Sequence, residues 1–128
     1  MKEESKGFLE KAERTLRAAE ILLREGDAES SIGRAYYAML HTAQALLREK
    51  DLRYGKHDTV HAAFGKHFAK TSILDPKFHR WMLAAYNSRL MGDYDFDAVI
   101  DSETASTTIE QAREFIREAR RLLELPNK

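Results

Sequence analysis

The sequence has no cysteine, only two prolines and no net charge over its 128 residues. Without cysteine, the chain can form no disulfide, thiolate metal site or cysteine nucleophile. No apolar run approaches the roughly 20 residues that cross a bilayer, and the first residues are charged rather than typical of a signal peptide. We therefore expect a cytoplasmic protein with no membrane segment. The length favours a single helical domain over residues 1–128.

The zero net charge hides an uneven distribution of charge along the chain. Six basic residues and two acidic ones lie between Arg53 and Arg80, whereas the segment from Met91 to Thr104 has five acidic residues and no basic one. This pattern has two interpretations that the sequence leaves open. Either the two segments are solvated surfaces of opposite sign, or the basic segment is a face for a phosphate-bearing partner.

Apolar residues recur every three or four positions along most of the chain, which is typical of amphipathic helices. The predicted helices lie near Ser5–Arg24, Ala28–Glu49, Asp58–Phe68, Pro76–Met91 and Ser102–Leu123. Two long antiparallel pairs plus a shorter helix predict an all-α, up-and-down bundle of four to five helices. The second helix is the best candidate for the central one, because it carries a continuous apolar stripe: Ile32, Tyr36, Met39, Ala43 and Leu46.

Polar residues and glycines mark the predicted helix ends. Ser5 is the predicted N-cap of the first helix, Asp27 that of the second, and Asp75 that of the fourth. Gly92 is predicted to end the fourth helix. The acidic segment after Gly92 is predicted to be an ordered loop whose larger side chains pack back on the bundle: Tyr94, Phe96, Val99 and Ile100.

Two histidines four residues apart on the short helix, His57 and His61, have a spacing that can chelate a metal ion. A third, His67, would lie about 240 degrees round a continuous helix from His61, so the three cannot converge on one ion. We therefore expect surface or capping histidines here. A calcium-type loop beginning at Asp93 lacks the required glycine and the closing glutamate. Neither a metal site nor a cofactor is predicted.

Further polar residues lie in the second and fourth helices: Arg34, Tyr37 and His41 in the second, and Arg89, Asp93 and Tyr94 at the end of the fourth. They carry function only if the fold brings them into one cleft. The alternatives are a capping or ion-pair role for Arg89, and core packing for Tyr36 and Tyr37 with the hydroxyl reaching an edge.

The run SIGRAYYAMLH at positions 31–41, followed by Ala43 and by Ala45-Leu46-Leu47, is similar to the RAYYAxFHAAxALL signature of small prokaryotic HEPN-domain proteins. Three later segments resemble further motifs of that family, in the same order: Lys56-His57, Ala63–Phe68 and Arg89–Tyr94. The resemblance covers the chain from about Phe8 to Leu123.

The resemblance implies a HEPN bundle that forms a homodimer and works with a minimal nucleotidyltransferase in a toxin–antitoxin pair. Many HEPN proteins are metal-independent ribonucleases that use an arginine followed, a few residues later, by a histidine. Arg89 matches that arginine, but Asp93 and Tyr94 occupy the positions where the histidine is expected. Tyrosine is a poor general base near neutral pH, so the usual proton transfer lacks its residue. The resemblance also makes Tyr94 a target for nucleotide transfer by such a partner.

The sequence therefore predicts a nucleotide- or RNA-binding module that acts with a minimal nucleotidyltransferase. Its predicted binding residues are Arg34, Tyr37, His41, Arg89 and Asp93. Two alternatives remain open. One is a metal-independent RNA endonuclease in which Arg89 acts with Tyr94 or His41, and the other is a non-catalytic dimeric scaffold.

Overall fold

The computed structural model describes residues 1–97 and 99–125, and every regular element within these residues is helical. Five α-helices follow one another: α1 (Glu3–Arg24), α2 (Ala28–Glu49), α3 (His57–Phe64), α4 (Lys77–Tyr94) and α5 (Ser102–Leu123). A π-helical turn, Gly65–Ala69, extends α3. The predicted all-α bundle is confirmed. In this described part of the chain, no helix combines the length and the apolar character needed to cross a membrane.

α1 and α2 form an antiparallel hairpin closed by a short turn. Gly26 has a φ of 90°, a left-handed conformation that glycine adopts without strain. The Asp27 carboxylate accepts a hydrogen bond from the Ser30 amide at 3.0 Å, which confirms Asp27 as the N-cap of α2. Further along the hairpin, the Ser31 hydroxyl donates to the Ala19 carbonyl at 2.7 Å and joins the two helices.

α2 lies at the centre of the bundle and contacts each of the other four α-helices. Its predicted apolar stripe is buried along the whole length of the helix: Ile32, Tyr36, Met39, Ala43 and Leu46. α4 runs antiparallel to α2, and α5 returns antiparallel to α4, with the rings of Phe78 and Phe115 stacked at 5.1 Å between centroids. The predicted central position of α2 is therefore confirmed.

Three helix starts differ from the prediction. α3 begins at His57, one residue early, and its α-helical part ends at Phe64 rather than Phe68, because the π-helical turn follows there. α1 begins at Glu3, and Ser5 is buried inside it, where its hydroxyl donates to the Glu49 carboxylate at 2.9 Å instead of capping the helix. Ser5 therefore joins α1 to the end of α2. At the start of α4, the Asp75 carboxylate accepts a hydrogen bond from the Lys77 amide at 2.9 Å as expected of a cap, but the helix begins one residue later than predicted.

The predicted end of α4 at Gly92 is also wrong, because the helix continues to Tyr94. A Cβ atom at Gly92 would lie 2.8 Å from Cγ of Glu29 on α2. Inside the continuing helix, the glycine leaves room for the Glu29 side chain rather than terminating the helix.

The predicted packing of the following loop against the core is wrong as well. Tyr94 is 85 % exposed, Phe96 95 % and Val99 91 %, and only Ile100 is half-buried. Because α4 extends past Gly92, the chain leaves the helix at the end of the bundle, where no neighbouring helix covers these side chains. They form an exposed, acidic and partly aromatic segment next to the end of α4.

The connection between α2 and α4 carries α3 and the π-helical turn. The turn is closed by the Lys70 amide, which donates to the Gly65 carbonyl at 2.8 Å. The His79 ring of α4 lies against Gly65, and its Nε2–H donates to the His61 carbonyl at 3.1 Å. α3 is therefore held against α4 at a position where a side chain larger than hydrogen does not fit.

We expect Gly65→Ala to destabilise the fold by about 1–3 kcal/mol. The added Cβ would lie 2.8 Å from the His79 ring, which cannot retreat without leaving the His61 carbonyl. Gly7→Ala is the matched control: Gly7 lies in α1 with nothing within 4 Å of the added Cβ, so alanine should stabilise it by about 0.5–1 kcal/mol. Urea unfolding followed by circular dichroism measures both, and equal shifts in midpoint would contradict this account.

Candidate functional site

The Tyr36 hydroxyl is buried where α2, α3 and α4 meet. Its oxygen lies 2.7 Å from Nε2 of His61 and 3.1 Å from Nδ1 of His57. α3 presents both imidazoles to Tyr36 because residues four apart share one helix face. Tyr86 of α4 completes the group, with its ring centroid 4.9 Å from that of His61. Tyr36, His57, His61 and Tyr86 together form what we call the Tyr36 cluster.

Burial determines the protonation states in the Tyr36 cluster. It lowers the pKa of His61 to about 4, and the nearby His57 and His79 contribute to the same effect. Burial also lowers the pKa of His57, with a further contribution from the Arg89 charge, and raises the pKa of Tyr36. At neutral pH both imidazoles are therefore uncharged, and the phenol keeps its proton.

The single proton of the Tyr36 hydroxyl lets it donate to one of the two imidazoles and accept from the N–H of the other. Both ring nitrogens that face Tyr36 are therefore satisfied within the cluster.

Two arginines approach one aromatic ring beside the Tyr36 cluster. Cζ of Arg34 lies 4.8 Å from the ring centroid of Tyr37, and Cζ of Arg89 lies 5.0 Å from the same centroid. Nε of Arg89 is also 3.3 Å from Oδ2 of Asp93, one helical turn further along α4. The contacts with Tyr37 and Asp93 orient the Arg89 guanidinium, whose side chain is only 24 % exposed.

These residues line a groove of about 290 Å³ between α2 and the end of α4. Its lining, among the described residues, is Glu29, Ser30, Gly33, Arg34, Tyr37, Arg89 and Asp93. Four of the sequence-predicted site residues therefore come together: Arg34, Tyr37, Arg89 and Asp93. The groove combines two cations, two carboxylates, two hydroxyls and an aromatic ring, a set suited to a ligand that carries both anionic groups and hydrogen-bond donors.

The other two predicted site residues, His41 and Tyr94, lie outside that lining. Nδ1–H of His41 donates to the Gln44 side chain at 3.0 Å, and the His41 ring lies beside Phe8 and Tyr37. Burial lowers the pKa of His41. Tyr94 projects from the last turn of α4 into solvent. Within the residues that the structure describes, neither side chain forms a hydrogen bond, an ion pair or a cation–π contact with Arg89.

The sequence interpretation missed the Tyr36 cluster. His57 and His61 were expected at the surface or at a helix cap, but His61 is buried and His57 half-buried, and the Tyr36 hydroxyl lies inside the bundle rather than at an edge. The i, i+4 spacing of the histidines was the available signal, but their third partner is a phenol on another helix. Across residues 1–97 and 99–125, no three His, Cys, Asp or Glu side chains are grouped to hold a metal ion.

The basic segment between Arg53 and Arg80 is partly engaged in ion pairs within the chain. Arg53 pairs with Glu4 and Lys77 with Glu114, each at 3.0 Å. Four further basic residues of this segment are exposed: Lys56, Lys66, Lys70 and Arg80. Both interpretations of the segment, a solvated surface and a phosphate-binding face, stay open.

Residues 5–122 match the HEPN domain. The chain belongs to the HEPN family. Two relatives in Methanocaldococcus jannaschii, each named as a candidate toxin, are 33 % identical to this chain. The first alignment covers 95 % of this chain and 83 % of the relative. The second covers 96 % of this chain and 91 % of the relative. A UPF0332 protein of Gloeobacter violaceus is 32 % identical over 96 % of this chain and 98 % of its own length. The resemblance noted in the sequence is confirmed, and this HEPN chain is similar to toxin-named proteins over nearly its whole length.

We expect the folded state to lose stability as the pH falls from 6.5 towards about 4, because in this range the unfolded chain protonates His61 and the folded chain does not. The contribution of neutral His61 to the free energy of unfolding is roughly 3 kcal/mol and is fully present above the ordinary histidine pKa. Urea unfolding between about pH 7.5 and pH 5 measures the slope of the free energy of unfolding against pH. His61→Gln, whose amide oxygen can accept from Tyr36 without titrating, should flatten it, and the control His67→Gln should leave it unchanged. An unaltered slope in His61→Gln would show that other groups cause the loss.

Proposed function

We propose that this protein is a toxin-type HEPN module, acting in the cytoplasm, whose groove binds the phosphate of a nucleotide or an RNA. The observation that carries the proposal is the placement of Arg34 and Arg89 at one Tyr37 ring, which holds two guanidinium groups in one groove. The paired N–H donors of a guanidinium match phosphate oxygens in geometry and charge. The toxin-named relatives support the biological role.

The two carboxylates of the groove favour a nucleotide or an RNA over a bare phosphate. Asp93 already pairs with Arg89, so an incoming phosphate must share or replace that contact. A ribose hydroxyl or a base N–H compensates by donating a hydrogen bond to Asp93 or Glu29.

We also propose that the protein forms a homodimer and works with a minimal nucleotidyltransferase. Support comes from exposed apolar side chains at and after the end of α4: Met91, Tyr94, Phe96 and Val99. Such a cluster on the surface is typical of protein-binding sites. Four acidic residues that follow Asp93 repel nucleic acid, which favours a protein as the partner of this surface: Asp95, Asp97, Asp101 and Glu103. The exposed Tyr94 hydroxyl is accessible to a partner that transfers a nucleotide.

We expect Arg89→Ala and Arg34→Ala each to weaken the binding of a fluorescent single-stranded RNA by about 10- to 100-fold, because each removes charge-assisted hydrogen bonds to phosphate. Fluorescence anisotropy at several salt concentrations measures the affinity. Each substitution should also reduce the slope of log K against log salt by about 0.7.

Arg121→Ala is the matched control, since Arg121 lies beside the start of α4, at the end of that helix opposite to Arg89. It should bind RNA as the wild type does. Equal losses in all three variants would mean that binding follows net charge rather than the groove, and a wild type that binds neither RNA nor a nucleotide would refute the proposed function.

We expect light scattering of the wild type at micromolar concentration to give twice the mass of the chain, and the addition of a minimal nucleotidyltransferase to give a heavier complex. Phe96→Asp should lower the dimer fraction, because it places a charge on the exposed apolar segment. Ile21→Asp is the control, since Ile21 is an exposed apolar residue of α1. A wild type that stays monomeric across this concentration range would contradict the homodimer.

A further inference from the structure

We propose that a cleft between α1 and α5 is a separate anion site, which binds one dianionic phosphate group between Arg17 and Arg117. The cleft has a volume of about 280 Å³ and shares no lining residue with the groove between α2 and α4. The site is therefore independent of the groove and of the ligand proposed for it. We call it the α1–α5 cleft, and its charged lining is Glu13, Arg17, Glu20, Arg113, Arg117 and Arg120.

Two ion pairs across the α1–α5 cleft fix the register of the two helices. Arg120 of α5 pairs with Glu13 of α1, and Nη2 of Arg113 lies 3.4 Å from Oε1 of Glu20. The earlier residue of α1 pairs with the later residue of α5, so the two helices run antiparallel. Because an α-helix rises about 1.5 Å per residue, the two ion pairs lie about 10 Å apart along the cleft.

Arg17 and Arg117 lie between these two ion pairs, one on each side of the cleft. Arg17 lies one helical turn after Glu13 on α1, and Arg117 lies one turn after Arg113 on α5, which places both on the helix faces that line the cleft. Both side chains are exposed. Among the residues that the structure describes, neither arginine forms a salt bridge, whereas the other two arginines of the lining do.

The carboxylates near these two arginines along their own helices are already paired with other cations. The two carboxylates of the cleft lining form the ion pairs at its ends. On α5, Glu114 pairs with Lys77 at 3.0 Å, and Glu118 pairs with Arg121 at 2.9 Å. Two guanidinium groups therefore line one cleft without a carboxylate of their own. An anion between them is attracted to both and offsets the repulsion between the two like charges.

The charge and the length of the cleft favour a single phosphate group over a nucleic acid strand. A terminal phosphate carries about 1.5 to 2 negative charges at neutral pH and has three acceptor oxygens, so it can accept hydrogen bonds from both guanidinium groups. A strand with many phosphates would extend past the two central arginines and meet Glu13 or Glu20 at an end of the cleft. A carboxylate offers only one charge and two oxygens. The cleft therefore fits a compact dianion.

The floor of the cleft is apolar. Leu16 and Ile116 line it and are almost completely buried, at 7 % and 6 % exposure. Their side chains offer no hydrogen-bond acceptor that would compete with the phosphate. They also keep water from one side of the guanidinium pair, which strengthens charge-assisted hydrogen bonds relative to open solvent.

The test is calorimetric titration of the full-length chain at low salt, in the double variant Arg34→Ala/Arg89→Ala. These substitutions disable the groove, so the remaining binding reports the α1–α5 cleft. We expect one bound ligand per chain for a nucleoside 5′-monophosphate and no binding of the nucleoside that lacks the phosphate. Inorganic phosphate is titrated in parallel. Equal affinity for both ligands identifies the free anion as the source of the phosphate group, whereas tighter binding of the monophosphate identifies an ester.

In the same background, Arg17→Ala and Arg117→Ala should each weaken phosphate binding about 10-fold or more, because each removes charge-assisted hydrogen bonds. Arg14→Ala is the matched control, since Arg14 is an exposed arginine of α1 outside the cleft lining. It should leave the affinity unchanged. Without phosphate, Arg17→Ala and Arg117→Ala should unfold at no lower urea concentration than the background protein, because each removes a repulsion and breaks no ion pair.

Removal of a carboxylate at the end of the cleft should have the opposite effect. Glu20→Gln releases Nη2 of Arg113 towards the ligand and should strengthen phosphate binding about threefold. Glu118→Gln makes the same change of charge on α5 outside the cleft lining. This control should leave the affinity unchanged.

Three results would overturn the inference. The Arg34→Ala/Arg89→Ala protein binds no phosphate at millimolar concentration, or Arg14→Ala weakens binding as much as Arg17→Ala, or succinate binds as tightly as phosphate. The second result would mean that binding follows net charge, and the third that the cleft does not select phosphate. Each leaves the groove untouched, so the proposed function is judged separately by its own RNA titrations.

Discussion

The structure depends on the satisfaction of one buried hydroxyl, that of Tyr36. A buried hydroxyl without a hydrogen bond costs about 1–3 kcal/mol, a large part of the net stability of a small domain. Here two imidazoles from α3 supply the partners, and the Tyr86 ring of α4 packs over them. The register of α3 against α2 is therefore fixed, since a shift by one residue would turn both histidines away from Tyr36. Gly65 allows the matching close contact with α4.

The same cluster sets the electrostatics of the groove. Both imidazoles stay neutral, whereas the charged Arg89 guanidinium lies 5.9 Å from the Tyr36 ring, and Tyr37 and Asp93 hold it in place. Arg89 also opposes protonation of His57. The Tyr36 cluster therefore connects the packing of the core to the charge in the groove.

The helices could be predicted from the sequence because their signals are local: the apolar stripe of α2 and the Asp27 cap depend on residues within a few positions of one another. The family motifs likewise pointed to Arg34, Tyr37 and Arg89, which the fold brings to one groove. The Tyr36 cluster could not be predicted, because the spacing of His57 and His61 shows that they share a face but not what lies opposite it. Gly92 was misjudged for the same reason. Its role depends on Glu29, a contact between helices far apart in the chain.

The α1–α2 hairpin joins residues that are close in sequence, such as Ser31 and Ala19, whereas the groove joins α2 to Arg89 near the end of α4. Local contacts close with a smaller loss of chain entropy, so we expect the hairpin to form early in folding. On the ribosome, α2 is made before α4, so a nascent chain contains Arg34 before it contains Arg89. The groove therefore exists only after α4 has emerged and docked on α2.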